Sequence, residues 1–148
     1  MAIKDLNIEP KELVDELIKD ALFLKEYNKP GTLSRPDYDK KLSTKVGNNF
    51  LKNLKLILSS EQGINELMLL MKHKNPYIKF LAARYLYPLF KNKTMSIMEN
   101  YKNSLTDKIE IFEVQTLING LKSNQPVFMN QFKKLYNTED LESLNRER

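Results

Sequence analysis

The chain has no cysteine and no tryptophan, and only one histidine and four glycines, in 148 residues. Each shortage removes a class of chemistry. Without Cys there is no disulfide framework, thiol nucleophile or thiolate metal site. A lone His73 makes no metal site and no Ser-His-Asp set. Lying between Lys72 and Lys74 at a helix end, it reads as structural, its ring placed to meet terminal carbonyls. Gly31, Gly47, Gly63 and Gly120 form neither a GxGxxG fingerprint nor a P-loop. No apolar run approaches the roughly 20 residues that a membrane span needs. Acids in the opening stretch MAIKDLNIEPKELVDELIKD argue against a signal peptide. The expectation is a soluble cytoplasmic protein with no membrane partner, no metal and no cofactor. Glu110 and Glu113, one helical turn apart, read as a solvated face, and Asp37 and Asp39 as turn residues. No nucleophile, base or metal constellation emerges, so an enzyme is not expected.

What is present is charge and helical periodicity. A chain of this length fits one domain, residues 1–148, able to bury a core unaided. Its net charge of +5 comes from 24 Lys and Arg against 19 Asp and Glu. Residues 1–50 carry nine of each sign, residues 51–136 carry 13 bases against 6 acids, and residues 137–148 carry 2 bases against 4 acids. The basic surplus of the middle stretch suits an acidic protein, a nucleic acid or an anionic surface, besides serving solubility.

Apolar residues recur at steps of three and four nearly everywhere, and no period-2 stretch is long enough for a strand. The pattern predicts about seven helices and an all-α fold. The first starts at Pro10 and runs to about Asn28 through Leu13, Val14, Leu17, Ile18, Ala21 and Leu22. A loop follows over 28–41, where NKPGTLSRPDYDKK breaks any helix. The second helix spans about Leu42 to Leu58. Ser59 and Gln62 fit a capping box for the third, which carries Ile64, Leu67, Met68 and Met71. Asn75 and Pro76 open the fourth, and Pro88 ends or kinks it. The fifth spans about Thr94 to Ser104. Asp107 opens the sixth, which runs to about Lys122 through Ile111, Val114, Ile118 and Leu121, with Phe112 and Leu117 flanking. The seventh covers Gln125 to Tyr136, and the tail 137–148 adds a last turn or frays.

Two helix pairs, INELMLLMKHKNPYIKFLAARYLYPL and SIMENYKNSLTDKIEIFEVQTLINGL, can be laid over one another, giving a repeat unit over 64–121. The first pair resembles a HEAT-type repeat. Asn75 and Pro76 stand at its turn, then Ile78, Lys79 where the pattern usually has Arg, and the small pair Ala82 and Ala83. A small pair deep in the second helix lets neighbouring helices approach closely. The second pair has neither the Pro nor the small residues. Over about residues 10 to 121 the chain also resembles a family of small bacterial α-helical proteins, classed as a domain of unknown function. The likeness is carried mainly by NPYIKFLAARYLYP and the loop-rich region before the second helix. That resemblance implies a short HEAT/armadillo-like stack, and a role as the immunity protein of a polymorphic toxin.

The fourth helix has a second stripe. Phe80, Arg84, Tyr87 and Lys91 lie roughly opposite the Ile78, Leu81, Ala82, Tyr85 and Leu89 face. Such a row packs on a neighbouring helix or, with Lys79, binds a partner, since Tyr and Arg are favoured interface anchors. The expected function is a protein-binding module, an immunity protein masking a cognate toxin with an acidic face. The alternatives are a nucleic-acid-binding HEAT-like protein using a basic face, and a non-enzymatic scaffold or homodimer. HEAT-like enzymes that excise alkylated bases use tryptophans, which this chain lacks.

Overall fold

The computed structural model describes residues 8–29 and 39–147. These residues form seven α-helices and no strand: α1 (Pro10–Tyr27), α2 (Lys40–Leu58), α3 (Glu61–Leu69), α4 (Pro76–Leu86), α5 (Lys91–Ser104), α6 (Lys108–Lys122) and α7 (Pro126–Tyr136). Two short 3-10 turns, Leu70–Lys72 and Glu142–Leu144, complete the described chain. The all-α expectation holds. Most of the expected loop, including Asp37, lies outside the described residues. The chain divides into two compact units, Met1–Glu66 and Leu67–Arg148.

In the first unit α1 packs on α2. Leu13, Val14, Leu17 and Ala21 of α1 are buried, as are Phe50, Leu54, Ile57 and Leu58 of α2. Their spacing is the helical stripe that sets which face turns inward. Asp39, expected in a turn, instead caps α2: its Oδ1 accepts from the Lys41 and Leu42 backbone N–H groups at 2.9 and 3.3 Å. An Asp at this position satisfies donors that the helix cannot, so α2 begins two residues before the expected Leu42. The capping role expected of Ser59 belongs to Ser60, whose Oγ accepts from Gly63 N–H at 3.0 Å. Ser59 Oγ donates back to the Leu56 carbonyl. The turn is tight. A Cβ at Gly63 would collide with the Ile57 carbonyl oxygen and lie 2.8 Å from its carbon.

In the second unit successive helices pack in order, α4 on α5, α5 on α6 and α6 on α7. The shared core holds Phe80, Ala83, Tyr87, Met98, Tyr101, Val114, Leu117, Ile118, Leu121 and Phe132. Fully burying one such aliphatic or aromatic side chain contributes about 1.5–3 kcal/mol. An exposed ion pair contributes at most about 1 kcal/mol. Core packing therefore outweighs the surface charges in holding the unit.

Local caps explain the helix bounds here. Asn75 Oδ1 accepts from Tyr77 and Ile78 N–H, and Asp107 Oδ1 from Ile109 and Glu110 N–H. The His73 backbone N–H donates to the Leu70 carbonyl, but its ring takes a different partner from the expected carbonyls. Its Nδ1 accepts the Asn75 N–H at 2.9 Å, because that donor precedes α4 and needs an acceptor. α6 and α7 both end on asparagines in the left-handed region, Asn124 and Asn137, a conformation Asn tolerates better than most residues. At the first of these, Gln125 N–H reaches back to the Gly120 carbonyl and Asn124 N–H to Leu121, closing the last turn. Gly120 is fixed by the same junction, since a Cβ there would strike the Phe128 ring.

Candidate protein-binding surface

The stripe expected to bind a partner is divided by the fold. Phe80 and Tyr87 do not present their rings outward: they are only 6% and 7% exposed. Phe80 stacks on Tyr101 at 4.5 Å between ring centroids, and Tyr77 lies 6.2 Å from both. Tyr87 stacks on Phe132 at 6.3 Å, and Phe132 meets Tyr136 edge-on. The physical reason is that α4 packs on the 3-10 turn before it and on α5, while Phe132 of α7 covers Tyr87, so the rings of this stripe are core. Arg84 is half-buried, with its guanidinium 5.1 Å from the Tyr85 ring centroid, a cation–π placement. Lys79 is exposed, and Lys91 is half-buried with its Nζ 3.2 Å from Glu142.

Burial also sets the tyrosine acidities. Desolvation pushes the Tyr101 phenol up to about 12, with Glu110 adding to the effect. Tyr77 is raised chiefly by burial too, as is Tyr136, whose OH donates to the Tyr85 carbonyl at 2.6 Å. These phenols stay neutral at physiological pH and serve as packing groups.

The surface features that remain are elsewhere. On α6, Val114, Leu117, Ile118 and Leu121 face the core, while Ile109 is 52% and Phe112 71% exposed. Ile109 and Phe112 are one turn apart, so they share a face. Thr116 sits one turn further on, its hydroxyl donating to the Phe112 carbonyl. Phe112 was expected to flank the core. It lies two residues before Val114, roughly 200° around the helix axis, which turns it away. That angle was readable in the sequence, and it is the signal that places the ring outside.

A second feature is a basic edge near the start of α5. This helix has Phe90 at its N-cap with no side-chain cap, and its first turn carries Lys91 and Lys93 but no acid. Its free N–H groups are met from far along the chain. Glu147 Oε1 accepts from Asn92 N–H and Oε2 from Lys93 N–H, both at 2.9 Å. Arg146 N–H donates to the Leu89 carbonyl at 2.8 Å. The tail, expected to add a turn or fray, adds the 3-10 turn Glu142–Leu144 and is docked through Glu147.

In the first unit, a shallow cavity of about 510 Å³ is lined by Asp20, Leu42, Lys45, Val46, Asn49 and Lys52. Asn49 Nδ2 donates to Asp20 Oδ2 across it at 2.9 Å. Among the described residues no group of three His, Asp or Glu is placed to hold a metal ion, and no helix is long and apolar enough to cross a membrane. Comparison of the chain with family models, with curated proteins and with solved structures finds no match in any of the three.

Proposed function

We propose that this chain is a non-enzymatic binding module that engages another protein through the outer face of α6. In its specific form, the proposal is a cytoplasmic immunity protein that neutralises a cognate bacterial toxin. The observation that carries the binding role is Phe112. Its ring stands 71% exposed beside Ile109, on a helix whose other side is packed core. A large exposed aromatic next to a branched aliphatic is the composition of an interface anchor. The immunity role rests on the resemblance of residues 10–121 to the small bacterial HEAT-like family found beside toxin genes. The consecutive packing of α4, α5, α6 and α7 is compatible with such a stack.

Charge narrows the partner. The surplus of 13 bases over 6 acids in residues 51–136 suits a toxin with an acidic exposed face. It suits a strongly cationic nuclease poorly, because complementary charge steers encounter. The experiment is co-purification of tagged chain with the purified product of the neighbouring gene. Capture by wild type and loss in Phe112→Asp support the proposal, and no capture by wild type removes it.

The same basic surplus favours one second function, nucleic-acid binding. Titration with duplex DNA as salt rises tests it, and no binding at low salt removes it.

A further inference from the structure

The C-terminal segment that follows α7 is acidic, and it lies along bases of its own unit. Glu139 Oε1 is 3.9 Å from Lys133 Nζ, and Glu142 Oε1 is 3.2 Å from Lys91 Nζ. Both carboxylates of the pair set are themselves well exposed, 94% for Glu139 and 82% for Glu142. Glu147 then closes over the first turn of α5, where its two oxygens take the Asn92 and Lys93 N–H groups. A run of nine residues, with the 3-10 turn Glu142–Leu144 in its middle, therefore places three carboxylates on Lys133, Lys91 and the α5 start, in chain order.

Two physical points separate this segment from an ordinary packed terminus. The first is that its firm anchors gather at one end, the Glu147 cap and the Arg146 N–H bond to the Leu89 carbonyl, while the stretch before them is exposed. Its 3-10 turn, Glu142–Leu144, has no buried residue, and Leu141 is only partly buried against the core. Exposed ion pairs change an equilibrium constant by only about a few-fold each. The second is what it covers. α5 begins with two lysines, no acid and no cap of its own, an arrangement that repels cations and favours an anion. The fold meets that need with a carboxylate from the C-terminal segment instead of a local Ser, Thr or Asp.

We propose that residues 139–147 are a displaceable acidic strap that autoinhibits the basic edge formed by Lys133, Lys91 and the start of α5. The ligand it holds off is an acidic extended segment of a protein partner. The identity of that ligand rests on the acidic-partner proposal above, while the strap itself rests only on the contacts just described. A partner segment with carboxylates at similar spacing replaces the three tail contacts one for one. The tail then leaves as the partner arrives, so binding affinity is set by the difference between the two.

The test uses the full chain and a labelled peptide with the sequence of residues 139–147, EDLESLNRE, followed by fluorescence anisotropy at low ionic strength. The strap variant is Glu139→Gln, Glu142→Gln and Glu147→Ala. A charge-matched control carries Glu9→Gln, Glu12→Gln and Asp15→Asn on and before the exposed start of α1. The expected result is binding by the strap variant about tenfold tighter than by wild type or control, fading as salt screens the contacts. Equal gains in the strap and control variants reduce the effect to net charge and overturn the proposal, as does no gain at all. Amide hydrogen exchange gives a second readout. Loss of the cap in Glu147→Ala should speed exchange at Asn92 and Lys93 by roughly tenfold, with the α6 and α7 amides unchanged. Unchanged exchange at Asn92 and Lys93 overturns the docked strap. Neither overturning result touches toxin capture, which tests the acidic partner separately.

Discussion

Ala83→Leu is the most informative single perturbation of the core. Ala83 is 0% exposed and belongs to the cluster with Phe80, Tyr87, Met98 and Tyr101. Leucine adds three carbons where two stacked aromatic rings and a fully buried methionine already fill the space. Interiors are packed to crystal density, so the added volume must push side chains off their rotamers or part the helices. Overpacking of this kind costs about 1–3 kcal/mol, and the leucine recovers little hydrophobic gain because it finds no new room. Domains of this class have total stabilities of roughly 5–15 kcal/mol, so the loss is a large fraction. For a chain of this size a loss of about 2 kcal/mol lowers Tm by roughly 4–8 °C. The assay is urea unfolding followed by circular dichroism, with the midpoint falling and the slope unchanged. Lys79→Leu, exposed on the same helix, is the control and should stay within about 0.5 kcal/mol of wild type. If Ala83→Leu is as stable as wild type or more so, close approach at this position is not what the small residue provides.

Further outcomes follow from other sites. Gly63→Ala forces a methyl against the Ile57 backbone, which cannot swing aside as a side chain can, so a loss of about 1–3 kcal/mol is expected in the same urea assay. Gly120→Ala meets side chains and no backbone, the Phe128 ring and the Gln125 Oε1 at 3.0 Å, and should cost less. Tyr136→Phe removes the hydroxyl donor to the Tyr85 carbonyl and should cost about 1 kcal/mol. Tyr101 shapes the alkaline limb of stability. Its folded pKa of about 12 lies above the ordinary value of 10, so the contribution is intact below pH 10 and is lost as pH rises toward 12, where the unfolded chain has already ionised. Tyr101→Phe should flatten that limb in a pH series of thermal melts, and an unaltered limb contradicts the assignment.

Most helix bounds were legible because their causes are local. Asn75 with Pro76, and Asp107 with the donors two and three residues on, are side chains acting within one turn of themselves. The start of α5 was not legible, and the expected Thr94 falls three residues inside the helix. Its cap is Glu147, more than fifty residues downstream, and no window along the sequence contains both. Thr94 itself turned inward, its hydroxyl donating to the Phe90 carbonyl, which left it fully buried. The second stripe of α4 was legible as apolar, but periodicity alone does not say whether such a stripe meets another helix or a partner. Phe80 and Tyr87 are settled by α5 and by Phe132 of α7, contacts that depend on the tertiary arrangement. For α6 the reading was partly right: Phe112 and Leu117 were both expected to flank the core, but Leu117 is buried, while Phe112, off the line of Val114, Ile118 and Leu121, is outside.

The central claim is that this chain acts by holding another protein against the outer face of α6. Parallel capture of the neighbouring gene's product by wild type and by Phe112→Asp measures it most directly, with circular dichroism confirming that both are folded. Retention by wild type and loss from the variant, at least about 2 kcal/mol in affinity as for an interface anchor, is the predicted result. Capture by neither, or by both equally, contradicts it.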